Sequence, residues 1–514
     1  MNRTNSIDKP IVVVAGPGAG KTRGMVNEII AAVDVLSPHR YLVAITYTNA
    51  AAMTIRDRLF KQIPTQRNIF VGTTHSFLNR FIIQPFATIF GELPENRIYG
   101  AINVQSIATE DGKKKLEPLR LNKARGAITK RLLEKGVVPY DAMLSIAERL
   151  LLTNKAIRDR VSRRLQFVFI DEFQDADIRQ FKLFDELRKA KHTKIYAVGD
   201  PEQYITGFTY GTRGQKPPEF NKIPFFNFLG KSTRSENIHN HRANGELVDF
   251  TNQFRCDFQQ RANKPHRGEA CVLYLNARDL DLVIKKFCKL TENIERKGKE
   301  VSRLYLGFEN KTFDTVREQF GIIPVSNDSR KTKTILGDAL ELLSLALGVS
   351  QRRIREQFNL TLLEWRHLGI TMLRKCQSAE FDTEMFYEFL KEHFGNVASK
   401  TRKEAVQEGL EQIKNVMVAG LHSGDSERCS SINKAKGLEA DAVLVVAKTL
   451  SELKKWLTVD RNNRQTDKSD ICRLGYVAAT RSRELLCFAC LKPLDDEARH
   501  LLADRGITII SPII

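Results

Sequence analysis

An apolar run, Ile11-Val12-Val13-Val14, feeds directly into Ala15-Gly16-Pro17-Gly18-Ala19-Gly20-Lys21-Thr22. No other stretch constrains the fold so tightly. A buried β-branched strand that ends in a Gly-rich turn and restarts as a helix leaves successive backbone N–H groups facing one concave space, a shape suited to phosphate. At A-x4-G-K-T spacing, Lys21 reaches the β- and γ-phosphates of a nucleotide and the Thr22 hydroxyl reaches Mg²⁺. Arg23 follows as a further candidate contact. The strand ahead of the loop distinguishes it from an incidental Gly-rich turn.

At 514 residues the chain is too long for one ordinary core, so two to four domains or subdomains are expected. A net charge of +20 favours a polyanionic partner, nucleic acid before a membrane surface. No apolar run is long enough to span a bilayer, and a phosphate loop so near Met1 argues against a signal peptide. The eight cysteines are scattered, which fits reduced thiols in the cytoplasm rather than a disulfide framework. Cys487 and Cys490 have C-x-x-C spacing but no second pair at zinc distance. A buried strand over Leu485–Cys490 would send the two thiols to opposite faces, as core residues.

Apolar strands are expected at Tyr41–Thr46, Phe167–Ile170 and Lys194–Val198, with a helix from about Ala50 to Phe60. Short buried strands separated by helices imply a parallel sheet covered on both faces. A helical stripe, Met143, Ile146, Ala147, Leu150 and Leu151, marks an insertion over 86–155, flanked by core segments 1–85 and 156–225. Strands return at Ala270–Leu275, Arg303–Leu306, Asp441–Val446 and Leu485–Cys490. They belong to core segments 226–330 and 426–514, around a second helical stretch, 331–425. There Leu336, Leu340, Leu343 and Leu347 share a face and Gly348 stops the helix. The expected fold class is α/β, with two parallel-sheet cores each interrupted by a mainly helical insertion.

A phosphate loop needs a metal-side carboxylate and a group to activate water. Asp171 and Glu172, at the end of the Phe167–Ile170 strand, supply both: Asp171 toward Mg²⁺, Glu172 toward the attacking water. An ordinary acidic loop is the alternative, and the phosphate loop argues against it.

From here the chain resembles the UvrD/Rep/PcrA type of superfamily 1 DNA helicases. Asp171-Glu172-Phe173-Gln174-Asp175, with the approach from Tyr140-Asp141-Ala142-Met143-Leu144, looks like that family's second motif. Ile45-Thr46-Tyr47-Thr48-Asn49-Ala50-Ala51-Ala52 is similar to motif Ia, and Gly72-Thr73-Thr74-His75-Ser76-Phe77 to the next DNA-contacting motif. Val198-Gly199-Asp200-Pro201-Glu202-Gln203 is similar to motif III and Asn240-His241-Arg242 to motif IV. Lys436-Gly437-Leu438-Glu439 is similar to motif V and Tyr476-Val477-Ala478-Ala479-Thr480-Arg481 to motif VI. The resemblance implies two RecA-like cores, 1A and 2A, with insertions 1B and a reduced 2B, ATP and Mg²⁺ as cofactors, and DNA as partner. That DNA would be single-stranded, or duplex with a single-stranded tail.

By the same resemblance Arg242 and Arg481 are arginine fingers, Gln203 senses the γ-phosphate, His241 faces the base, and Glu439 reads the ribose or the neighbouring motif. Thr48, Asn49, Thr73, His75 and Phe208 are the implied DNA contacts, Phe208 standing where the family stacks a tryptophan on a base. His75 as a capping or core residue and Phe208 as a core residue are the alternatives.

The departures are specific. No glutamine precedes the loop within Met1–Lys9 to read adenine, and His241 replaces an aromatic tyrosine or phenylalanine. Asn433-Lys434 stand where motif V opens with His-Ser, and Thr209 replaces an arginine. The stretch after Arg481 is too short for an appended nuclease domain. In size and architecture the chain resembles the helicase-like subunit of the Gabija anti-phage system, which works beside a separate OLD-family nuclease. Two functions stay open on this reading: a free-standing 3′→5′ translocase or helicase for DNA repair, and a DNA- or nucleotide-sensing ATPase that regulates a nuclease. A small-molecule P-loop kinase would need neither motif IV nor motif VI.

Overall fold

The computed structural model describes residues 9–64, 68–90, 99–102, 126–127, 129–134, 137–206, 216–292, 294, 301–325, 335–378, 380–395, 403–421 and 427–510. The chain divides into two compact units, one built from Met1–Glu295, Arg303–Phe320 and Cys429–Ile514, the other mainly from Gly321–Arg428.

The first unit holds both parallel sheets. β1 (Ile11–Ala15), β2 (Tyr41–Thr46), β3 (Ile69–Thr73), β4 (Leu165–Ile170), β5 (Lys194–Gly199) and β6 (Thr233–Asn237) form the first, in the order β3-β2-β4-β5-β1-β6 with every pairing parallel. Val12, Leu42, Val43, Ala44, Ile45, Val168 and Ile170 are almost fully buried. That is the continuous apolar signature of strands covered on both faces. β6 is an edge strand of Thr-Arg-Ser-Glu-Asn, half exposed, and nothing in its composition marks it as a strand.

Six strands of the seven-stranded second sheet are β7 (Val272–Leu275), β8 (Arg303–Gly307), β9 (Glu427–Ser431), β10 (Ala440–Ala447), β11 (Ser482–Cys490) and β12 (Thr508–Ile510), in the order β9-β8-β10-β11-β7-β12. Along β10, Val443, Leu444, Val445 and Val446 are wholly buried, each contributing roughly 1.5–3 kcal/mol of burial. Cys487 and Cys490 lie on β11 as buried thiols, and none of the eight cysteines is in a disulfide. The α/β class with two RecA-like parallel cores is therefore present. Of the insertion expected over 86–155, residues 91–98, 103–125, 128 and 135–136 lie outside the described residues. The helix Tyr140–Thr153 buries the expected Met143, Ile146, Ala147, Leu150 and Leu151.

The second unit is a helical cluster. Helices Ile335–Leu347, Gln351–Gln357, Leu362–Cys376, Thr383–Phe394 and Lys403–Leu421 surround Leu343, Trp365, Phe386 and Leu390. The first of them stops at Gly348, whose φ of +71° suits a residue without Cβ. Among the described residues, no helix is long and apolar enough to cross a membrane.

Candidate active site

Parallel pairing sends the C-terminal ends of β1 to β5 to one edge of the first sheet, and the motifs that follow those strands collect there. After β1 the chain turns through Gly18 (φ +69°) and Gly20 (φ +73°), left-handed conformations that glycine adopts without a Cβ clash. The helix Lys21–Val33 begins at once, with no acidic residue in its first turn, so its N-terminal N–H groups face the loop uncompensated.

At the end of β4, Asp171 is buried and its carboxylate accepts from the Thr22 hydroxyl at 3.3 Å. Burial, and then the adjoining Glu172 carboxylate, push Asp171 above the ordinary range, although Lys21 and hydrogen bonds from Thr22 and the Glu172 N–H pull the other way. Glu172 stands at φ +48°, a left-handed conformation costly for a residue with a Cβ. Its carboxylate lies 4.0 Å from Lys21 Nζ and accepts from Gln174 Nε2 at 2.8 Å. Burial acts to raise Glu172, but Lys21 and Gln174 outweigh it and hold the group below its usual value. Two adjacent carboxylates are thus driven apart in proton affinity.

Gln174 Oε1 accepts from the Asp200 N–H at 3.0 Å, and Asp200 in turn accepts from Gln203 Nε2 at 2.8 Å. Gln203 Oε1 then meets Arg481 of the second core, whose Nη2 donates at 2.9 Å. Arg481 is buried; its remaining bonds go to the carbonyls of Val477 and Leu438 and to the Thr480 hydroxyl, all neutral. Burial, with the Arg242 charge nearby, pushes its pKa down to about 10. Arg242 donates to the Thr480 carbonyl at 3.0 Å and pairs with Glu439 at 2.6 Å. Glu439, expected at the ribose or the neighbouring motif, is engaged by Arg242 and Arg483.

The structure thus joins Lys21, Thr22, Asp171, Glu172, Gln203 and Arg481 in one chain of contacts, with Arg242 beside Arg481. His241 is exposed beside the loop, its N–H donating to the Gly18 carbonyl at 2.9 Å. Thr48, just after β2, and Thr73, the last residue of the adjacent β3, cap the helices Asn49–Phe60 and Thr74–Leu78. Asn49 is exposed beside Thr48, and His75 packs edge-on against Tyr140 at 5.1 Å. Phe208 lies outside the described residues.

Sequence reasoning passed over the buried ionic links between the cores. Arg255 bonds Asp200 and the Tyr476 hydroxyl, and Arg464 pairs with Glu202 at 2.8 Å. Lys436 pairs with Asp175. Asp175, Asp200, Glu202, Lys436 and Tyr476 sit inside motifs and were available as signals; Arg255 and Arg464 sit outside every motif.

Fold and site define an α/β protein with a Gly-rich phosphate-type loop at the edge of the first of two large parallel-stranded sheets. Residues 2–209 match a family described as an AAA domain. The chain is similar to the Gabija protein GajB of Bacillus cereus (strain VD045), 30% identical over 257 residues, 49% of this chain and 46% of that protein. It is also similar to the ATP-dependent DNA helicase Rep of Buchnera aphidicola subsp. Schizaphis graminum, 25% identical over 253 residues (42% of this chain, 38% of that one). A probable DNA helicase II homolog of Mycoplasma capricolum is 26% identical over 292 residues (48% and 39%). The chain spans less than half the length of each of these relatives.

Proposed function

We propose that this protein hydrolyses ATP in the cleft between its two sheets and uses the cycle to move 3′→5′ along single-stranded DNA, unwinding duplex that carries a single-stranded tail. The observation that carries the reading is the bond from Arg481 of the second core to Gln203 of the first, at the end of a relay that starts at Glu172. A charge developing on the γ-phosphate would be met by Lys21 from one core and by Arg242 and Arg481 from the other.

Each residue has a defined part. The Gly-rich loop N–H groups and Lys21 hold the phosphates. The Thr22 hydroxyl and Asp171 carboxylate are a fitting hard-oxygen pair for Mg²⁺, which when bound neutralises phosphate charge. The raised proton affinity of Asp171 marks a buried carboxylate short of positive charge, as a cation ligand would be. Glu172, held ionised, orients the attacking water; a carboxylate with lowered proton affinity is a poor early proton acceptor. Thr48, Asn49, Thr73 and His75, at the C-terminal ends of β2 and β3, are the proposed strand contacts. Residues 321–428 carry equal numbers of acidic and basic side chains, so the excess positive charge lies with the cores. A cytoplasmic site of action accords with eight cysteines outside any disulfide.

A second reading, a DNA- or nucleotide-sensing ATPase that regulates a partner OLD-family nuclease in anti-phage defence, is favoured by the similarity to the Gabija protein GajB. The deciding experiment measures ATPase rate with and without single-stranded DNA, and strand displacement on 3′-tailed against 5′-tailed duplexes. DNA-stimulated turnover with displacement of 3′-tailed duplex supports the motor. Turnover indifferent to DNA, altered instead by a nuclease subunit, would replace it with the sensor.

A further inference from the structure

Three successive carbonyls of the Gly-rich loop accept hydrogen bonds from residues more than two hundred positions away. Gln260 Nε2 donates to Pro17 at 3.1 Å, the His241 N–H to Gly18 at 2.9 Å, and Asn237 Nδ2 to Ala19 at 2.8 Å. Gln260 is buried, and the approach is close enough to exclude side chains on the loop. A Cβ at Gly16 would fall 2.3–2.6 Å from the Gln260 amide, and one at Gly18 would fall 2.5 Å from Asn240 Oδ1 and 2.7 Å from Arg242 Cβ. Gly16 keeps a negative φ, so its smallness answers to the Gln260 contact rather than to backbone strain.

Gln260 is tied to the second sheet. Its backbone N–H and C=O both bond the Asn252 side chain, at 2.8 and 2.9 Å, at the end of helix Gly245–Asn252. That helix starts at Asn244, which bonds the Arg483 and Glu484 carbonyls of β11. A loop whose carbonyls are held on one side keeps its N–H groups presented on the other, toward the phosphates.

We infer that Gln260 is a positioning residue that holds the Gly-rich loop in its phosphate-gripping form, so that nucleotide affinity depends on the second core. This rests on the reading of the loop as an ATP site. The arginines would then set rate while the Gln260 contact sets grip.

The test uses the full chain, with steady-state ATPase and equilibrium binding of a fluorescent ATP analogue. Gln260→Glu keeps the shape but sets an oxygen against the Pro17 carbonyl. KM and the analogue's dissociation constant should rise about tenfold, with kcat within about threefold of the parent and a chain that still unfolds cooperatively, at a lowered melting temperature. Gly16→Ala, which pushes Gln260 aside, should raise KM similarly. Added to Gln260→Ala it should cost less than about twofold more, because its target is already gone. KM and affinity within about twofold of the parent for Gln260→Glu, or fully additive Gly16 and Gln260 effects, would overturn the inference. A parent that binds no nucleotide would sink the ATP-site reading itself, and this contact's role with it.

Discussion

Arg481→Ala separates rate from stability. Burial, and then repulsion from Arg242, lower the Arg481 pKa from the usual arginine range to about 10. That displacement corresponds to about 3 kcal/mol of disfavour for the charged form. Because the folded value lies below the unfolded one, the cost is present at every pH below about 10 and disappears only above the unfolded value. Removing the side chain relieves that cost. It also orphans Gln203 Oε1 and the Leu438 carbonyl, at about 1–3 kcal/mol for each acceptor that water fails to reach, whereas the Val477 carbonyl keeps the Thr480 hydroxyl as donor. The two effects oppose, so the melting temperature should move by only a few degrees. Turnover should fall by about 10³ to 10⁵, the contribution of an arginine finger. Arg242→Ala should fall similarly, with its charge partner Glu439 still held by Arg483. The assay is phosphate release with single-stranded DNA, paired with thermal denaturation and a strand-binding measurement, which should be nearly unaffected. Both Ala variants turning over within about threefold of the parent while folded would refute the two-core cleft.

Lys21→Ala should abolish hydrolysis in the same assay, since among the described residues no other cation lies within 4.0 Å of the Glu172 carboxylate to replace it. Glu172→Gln should retain nucleotide in a filter-binding measurement yet lose about 10² or more in turnover; near-parental hydrolysis would remove Glu172 from the mechanism. Strand affinity measured across a salt titration should fall by roughly 0.7 log units per decade for each phosphate contact, and a flat profile would argue against a basic DNA track. Glu202→Ala leaves Arg464 buried without its carboxylate, and chemical denaturation should report a loss of about 3–5 kcal/mol.

How far sequence alone reached depended on whether the information was local. The strand at Tyr41–Thr46 and the helix from Asn49 are where the apolar pattern put them, because a strand buried on both faces must be apolar at every position. The carboxylates after β4 are legible for a similar reason: a strand end fixes where the next two side chains emerge. Thr233–Asn237 carries no such pattern, since an edge strand needs no apolar face. The contact from Gln260 to Pro17 spans 243 positions between two uncharged groups, and no periodicity records it. Arg255 looked like any surface arginine in a chain with this many basic residues.

Arg255 and Arg481 show how the structure separates roles that composition leaves alike. Both are buried arginines at the junction of the cores, and burial acts to lower the proton affinity of both. For Arg255, Asp200, Tyr476 and Asp257 outweigh burial and carry its pKa well above the ordinary value. Its ion pairs lie at 3.3 Å to Asp200 and 2.8 Å to Asp257. That charge is satisfied by the protein itself, so the residue is an internal strut whose loss would cost stability first. Among the described residues Arg481 hydrogen-bonds only carbonyls, an amide and a hydroxyl, and burial with the nearby Arg242 charge outweighs the pull of Glu172 and Asp200, so its charge stays disfavoured. A folded protein tolerates such a cost where a ligand relieves it. An anion arriving between Lys21 and Arg481 would be that ligand, and the relief is available only when both cores are in place.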